Sequence, residues 1–258
     1  MRARINGIEM AFTDEGQGST LLFVHGFPLS RGAWSKQVEA FKPDYRVIVP
    51  DLRGLGESEA TAGPVSMLRF AEDLYALSQH LESGPVILVG HSMGGYVAMA
   101  YAKAFPQALR KLVLVGTKSG ADSAEGAAAR RATAEKVRAE GPAVVVDAMA
   151  PKMLSAGNTD AAMAASVRGF MAPSKPEGVI AALLGMAGRP DAGAWIGEIR
   201  VPALVIAGLD DTIIPPSESE ALAKAIPDAQ LRYIPHAGHL VAFEQADDFN
   251  KKLRDWLA

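Results

Sequence analysis

Apolar residues along this chain of 258 residues follow two recurring patterns. Short unbroken runs occur at Leu21-Leu22-Phe23-Val24, Val47-Ile48-Val49, Val86-Ile87-Leu88-Val89, Leu112-Val113-Leu114-Val115 and Ala203-Leu204-Val205-Ile206-Ala207. Runs of this length without polar alternation predict strands buried on both faces. Between them, apolar positions recur at helical spacing: Trp34, Val38 and Phe41; then Met67, Phe70, Ala71, Leu74, Leu77 and Leu81; then Tyr96 to Phe105. A hairpin is predicted at the start, with Arg2–Ile5 and Ile8–Thr13 joined by Asn6-Gly7 and followed by a Gly-rich loop from Asp14 to Ser19. Helix Glu218–Ala225, strand Gln230–Ile234 and a terminal helix Glu244–Leu257 complete the rhythm. Strands alternating with helices of this length require crossovers, which predicts an α/β fold with a mostly parallel eight-stranded sheet and helices on both faces.

The alternation breaks after Gly116. From Lys118 to Ile196 no strand pattern occurs, and Ala, Glu, Arg and Met dominate. Helices are predicted at Ala121–Glu140, stopped by Gly141-Pro142, and at Ala143–Lys152, Ala161–Phe170 and Glu177–Ala187. The expected organisation is one sheet core, residues 1–117 and 197–258, interrupted after the sixth strand by a helical cap, residues 118–196.

Bulk composition narrows the function classes. Hydrophobic content of 49% and charged content of 21% are those of a soluble globular chain. A formal net charge of −3 gives no electrostatic case for nucleic acid or an anionic membrane. No segment is long and apolar enough to span a bilayer, and the N-terminus lacks a signal-peptide core, so a cytoplasmic location is the default. The absence of cysteine removes disulfides, thiolate metal sites and a Cys nucleophile together. No His and carboxylate spacing suits a metal, so neither metal nor cofactor is expected.

Chemistry enters at Gly90-His91-Ser92-Met93-Gly94-Gly95, between the run ending at Val89 and the helix reaching Phe105. Strand, sharp turn and helix around a serine make a nucleophile elbow, and the turn requires small residues two positions either side of Ser92. Serine needs a base held by an acid, which an open parallel sheet would carry at the carboxyl ends of later strands. After Ala207 come Gly208-Leu209-Asp210-Asp211, and after Ile234 come Pro235-His236-Ala237-Gly238-His239. Spacing leaves Asp210 and Asp211, and His236 and His239, as open pairs.

These motifs resemble the α/β-hydrolase superfamily, in its small members with a helical cap, and the resemblance runs from the first hairpin to the last helix. The resemblance selects Asp211, through Gly208, Asp211 and Pro215 matching a G-x-x-D-x-x-x-P pattern, and His239, through the Gly238-His239 pair. It implies an oxyanion hole from the backbone N–H groups of Met93 and of Phe27, the latter in the turn His25-Gly26-Phe27-Pro28. His25 has a competing reading as a base; the structural reading is preferred because His239 already supplies one. His91 is read as packed within the elbow and His80 as solvated. The loop Asp51-Leu52-Arg53-Gly54-Leu55-Gly56-Glu57-Ser58 lacks phosphate-loop and dinucleotide patterns, and is read as a structural loop with Asp51 and Arg53 hydrogen-bonded or paired.

The resemblance implies a carboxylic ester hydrolase, acting on a small or medium acyl ester or lactone through an acyl-enzyme. Ser92 argues against the superfamily's haloalkane dehalogenases and epoxide hydrolases, which use an aspartate. C–C bond hydrolysis, acyl transfer and perhydrolysis use the same triad and stay open, as does a receptor without turnover. Met149, Met153, Phe170 and Trp195, with Met163, Met171 and Met186, are candidates to line an apolar substrate pocket; methionines at helical spacing equally describe cap core. Arg130 and Arg131 are read as a solvated helix face.

Overall fold

The computed structural model describes residues 1–258 and places eight strands in one sheet. They are β1 (Arg2–Ile5), β2 (Ile8–Glu15), β3 (Thr20–Val24), β4 (Arg46–Pro50), β5 (Val86–His91), β6 (Leu109–Val115), β7 (Ala203–Gly208) and β8 (Gln230–Ile234). Their order is β1-β2-β4-β3-β5-β6-β7-β8. β1–β2 and β2–β4 are antiparallel, and every pair from β4 to β8 is parallel. Asn6 (φ 45°) and Gly7 (φ 87°) both take the left-handed conformation that a two-residue hairpin turn demands. β2 runs on to Glu15, past the predicted end at Thr13. Asp14 and Glu15 pair with Ile48 and Val47, and Arg46 grips Asp14 bidentately at 2.8 and 2.7 Å, so tertiary pairing draws two acidic residues into the strand.

Successive residues of β5 serve opposite faces, which explains its unbroken apolar run. Val86 and Leu88 join a core with α2 (Met67–His80), α3 (Met93–Ala104) and α8 (Pro216–Ala225); Ile87 and Val89 join a core with α1 (Ser35–Phe41) and α10 (Ala246–Leu257). α2 buries Met67, Phe70, Ala71, Leu74 and Leu77, and Ser66 caps it by accepting from Arg69 N at 3.0 Å.

Between β6 and β7 lie α4 (Ala124–Glu140), α5 (Ala143–Met149), α6 (Ala161–Met171) and α7 (Pro176–Ala187), with α4 packed on α7. α4 begins at Ala124, later than predicted, because Ser123 caps it and Asp122 is engaged with Arg130 and Arg189. Arg130 is therefore drawn into an ion pair, at 2.5 Å, rather than left as part of a purely solvated face. The helical insertion lies against loops at the carboxyl ends of the strands: Met153 O accepts from Leu240 N at 2.7 Å, and Ala181 O from Val65 N at 3.1 Å. The predicted terminal helix is divided into α9 (Val241–Glu244) and α10 by a non-helical Gln245 (φ −116°, ψ 56°). No helix is long and apolar enough to cross a membrane.

Candidate active site

Strand order reverses between β3 and β5, which opens a crevice at their carboxyl ends. Ser92 stands there, between the last residue of β5 and the first of α3, with φ 53° and ψ −117°. A non-glycine residue in the left-handed region is strained, and here the surroundings hold it. Its N–H donates to Val115 O at 2.9 Å, and its carbonyl accepts from Gly95 N and the Thr117 hydroxyl, both at 2.8 Å. The flanking glycines are required by contact: a Cβ on Gly90 would lie 2.4 Å from Gly94 O, and one on Gly94 2.4 Å from Val24 O. Ser92 is half-buried.

His239 Nε2 is 2.9 Å from Ser92 Oγ, and His239 Nδ1 is 2.8 Å from Asp211 Oδ2. A carboxylate beside Nδ1 makes that nitrogen the N–H donor and leaves Nε2 to accept the serine proton. Asp211 Oδ1 accepts from Ile213 N and Ile214 N at 2.8 and 2.9 Å. Burial alone would raise the Asp211 carboxyl, but the His239 hydrogen bond and charge, with the two backbone donors, outweigh it and hold the group below the usual carboxylate range. Asp210 is exposed, and its Oδ2 accepts from the Ser155 hydroxyl at 2.7 Å. His236 is exposed on a turn with φ 55°. Of each open pair, only one member joins the hydrogen-bonded line that ends at Ser92.

The loop after β3 presses on the elbow, since a Cβ on Gly26 would lie 2.9 Å from Ser92 Cβ. Phe27 follows, with a cis peptide to Pro28 and Leu29 N–H closing the turn on Gly26 O. The Phe27 N–H has no acceptor within the protein, and Met93 opens α3 ahead of its hydrogen-bonded ladder. Both N–H groups are therefore left without an acceptor within the protein.

The neighbouring histidines are cross-links. His25 donates from Nδ1 to Gly26 O at 2.9 Å and accepts at Nε2 from Leu52 N at 3.0 Å, so both nitrogens are occupied, and burial lowers its pKa. His91 donates from Nε2 to His239 O at 2.8 Å and stands edge-on to Trp34. Burial first, and the charge of His239 second, push the His91 pKa down to about 3. Asp51 and Arg53 are paired, though not with each other. Buried Asp51 binds Arg31 and Glu57 N–H, and buried Arg53 forms a bidentate pair with Asp73 at 2.7 and 2.6 Å.

The candidate pocket residues are dispersed. Met153 is fully buried and packs with Leu29, Ala33, Val167, Met171, Leu240 and Phe243, with Met149 half-buried alongside. Phe170 stands edge-on to Phe243 and faces a groove of about 240 Å³ shared with Arg31 and Asp51. Trp195 lies elsewhere: its ring is under Lys103 Nζ at 4.9 Å and lines a separate cavity of about 340 Å³ with Ala102, Pro106 and Arg200. Lys103 is at the far end of α3 from Ser92, roughly 16 Å along the helix at 1.5 Å per residue. Apolar character placed Trp195 in the pocket; the return of the chain toward β7 carries it away. Nothing in the local pattern singles out Glu244, whose buried carboxylate accepts from Ser155 N, Asn158 Nδ2 and Gly238 N.

A family model described as the alpha/beta hydrolase fold matches residues 19–246. A thermophilic esterase from Thermogutta terrifontis superimposes with a TM-score of 0.97 and 42% identity, over 100% of this chain and 98% of that one. The enol-lactonase from Burkholderia xenovorans LB400 gives a TM-score of 0.91 and 28% identity, over 100% and 99%. A 2-hydroxy-6-oxononadienedioate/2-hydroxy-6-oxononatrienedioate hydrolase of Paraburkholderia xenovorans (strain LB400) is 30% identical, over 97% of this chain and 91% of its own. The strand order, the serine at the β5–α3 elbow and a match spanning nearly the whole sequence agree, and the chain belongs to the α/β-hydrolase fold family of hydrolases.

Proposed function

We propose that this protein cleaves carboxylic esters, a small or medium acyl ester or a lactone, with Ser92, His239 and Asp211 as its catalytic triad. The observation that carries the reading is the continuous chain Ser92 Oγ–His239–Asp211, at 2.9 and 2.8 Å, ending on an acid held in its charged form. In this mechanism Ser92 Oγ bonds to the substrate carbonyl carbon while His239 Nε2 takes its proton. Asp211 orients the imidazole and stabilises the imidazolium. The Phe27 and Met93 N–H groups donate to the oxyanion; each such donor contributes roughly 3 kcal/mol in related enzymes. Collapse of the tetrahedral intermediate expels the alcohol, protonated by His239. Water then gives a proton to His239 and attacks the acyl-enzyme, releasing the acid and restoring Ser92. Residues 118–196 act as the cap that shapes the acyl site. The similarity to an esterase and an enol-lactonase supports the ester and lactone classes.

Hydrolysis of p-nitrophenyl esters from acetate to dodecanoate, with Ser92→Ala alongside, tests this. The expected result is turnover that falls at least about a thousandfold in the variant, with loss of fluorophosphonate labelling and an intact fold. Labelling at Ser92 without ester turnover redirects the substrate class to lactones or to C–C bonds. Neither labelling nor turnover overturns the reading in favour of a receptor.

A further inference from the structure

Glu244 closes α9, and its side chain turns inward where the helix breaks at Gln245. Its carboxylate is buried and has no ion-pair partner; each of its hydrogen-bond partners is an N–H donor. Oε1 accepts from Asn158 Nδ2 at 2.8 Å, Oε2 from Gly238 N at 2.7 Å, and both from Ser155 N at 3.0 Å. One carboxylate thus joins the insertion, at Ser155 and Asn158, to the residue preceding His239. Two further bonds run in parallel. Leu240 N donates to Met153 O at 2.7 Å, and the Ser155 hydroxyl donates to Asp210, the neighbour of Asp211, at 2.7 Å. The contact is tight enough to exclude a side chain, since a Cβ on Gly238 would lie 2.4 Å from the Leu154 carbonyl carbon.

We infer that Glu244 is a positioning residue that locks the insertion segment Met153–Asn158 and the His239 loop into one unit, so that the placement of the base depends on the seating of the cap. The inference rests on the reading of Ser92 and His239 as the reacting pair. A carboxylate suits this task because the three groups bonded to it are all donors, and an amide in its place would turn an N–H₂ toward one of those N–H groups. Buried donors left without an acceptor open locally, and the His239 loop and the insertion then lose their common register.

Hydrogen exchange of segments 153–160 and 236–243 tests the coupling, read in the wild type, Glu244→Gln and Glu244→Asp. The expected result is that Glu244→Gln accelerates exchange at least tenfold in both segments together, with Glu244→Asp in between. On p-nitrophenyl butyrate, kcat and the rate of fluorophosphonate labelling of Ser92 should fall at least tenfold in the Gln variant and recover to within threefold in the Asp variant. Wild-type protection in both segments, acceleration in only one, or unchanged kcat and labelling beside a lowered Tm would each overturn the proposal. If wild-type Ser92 fails to label, the serine-hydrolase reading falls, while the exchange measurement still decides the coupling. If Glu244→Gln does not fold, exchange in Glu244→Asp decides it: acceleration of both segments together supports the coupling, and acceleration of one alone, or of neither, overturns it.

Discussion

Asp210 and Asp211 show how one residue's shift along a loop divides two identical side chains between different tasks. Asp211 is buried against His239 and two backbone donors, whereas Asp210 faces solvent and holds Ser155. Asparagine at 211 would offer an amide N–H₂ or a weaker acceptor to His239 Nδ1 and favour the unproductive tautomer. Asp211→Asn is therefore expected to lower kcat by about 10³- to 10⁴-fold. Asp210→Asn keeps an oxygen for Ser155 and is expected to stay within roughly tenfold of wild type. Side-by-side kcat measurements on one ester decide it, and equal or reversed losses would remove Asp211 from the proposed role. The sequence showed the adjacent carboxylates and the Ser, Asp, His order, but burial separates the pair, and burial belongs to the fold.

At the scale of elements, glycines distinguish packed surfaces from free ones. A Cβ on Gly178 in α7 would lie 1.7 Å from Gly54 O, while Gly169 in α6 is exposed with nothing within 4 Å of its Cβ position. The same substitution should therefore act in opposite directions. Gly178→Ala forces backbone apart and is expected to destabilise by about 1–3 kcal/mol or more. Gly169→Ala removes chain entropy from a helix and is expected to stabilise by about 0.5–1 kcal/mol. Denaturant titration of both variants checks this; a neutral Gly178→Ala would mean that α7 is not seated on the 51–58 loop. Elements themselves were largely legible, because parallel strands buried on both faces read as unbroken apolar runs and helices as a 3.6-residue period. Their ends were less so. β2 lengthens for Arg46, and the last helix breaks where Glu244 turns toward Ser155 and Asn158, both for partners far away in sequence.

Across the whole molecule, acid stability follows from histidines buried in the core. His91, held near a pKa of about 3 in the folded state, would titrate near 6.5 when unfolded. Between those values the unfolded chain binds the extra proton, so acidification favours unfolding. The unfolding free energy should fall by up to about 1.4 kcal/mol per pH unit for such a histidine between about pH 6.5 and 3. The lowered pKa of His25 acts in the same direction over the range below the usual histidine value, and that of Asp211 below the usual carboxylate value. Urea midpoints between pH 7.5 and 4.5 test this. A flat profile, or one that His91→Gln leaves equally steep, would contradict the assigned burial.

By itself the sequence determined the strand and helix rhythm, the long helical insertion and the elbow at Ser92, because each is written in residues adjacent along the chain. Only the tertiary structure decided that Trp195 lies by Lys103 at the far end of α3, that Phe170 lines a groove with Arg31 and Asp51, and that Glu244 ties the insertion to the His239 loop. Hydrophobicity and spacing state that a side chain will be buried; which neighbour it meets depends on how elements distant in sequence pack, and no local pattern encodes that.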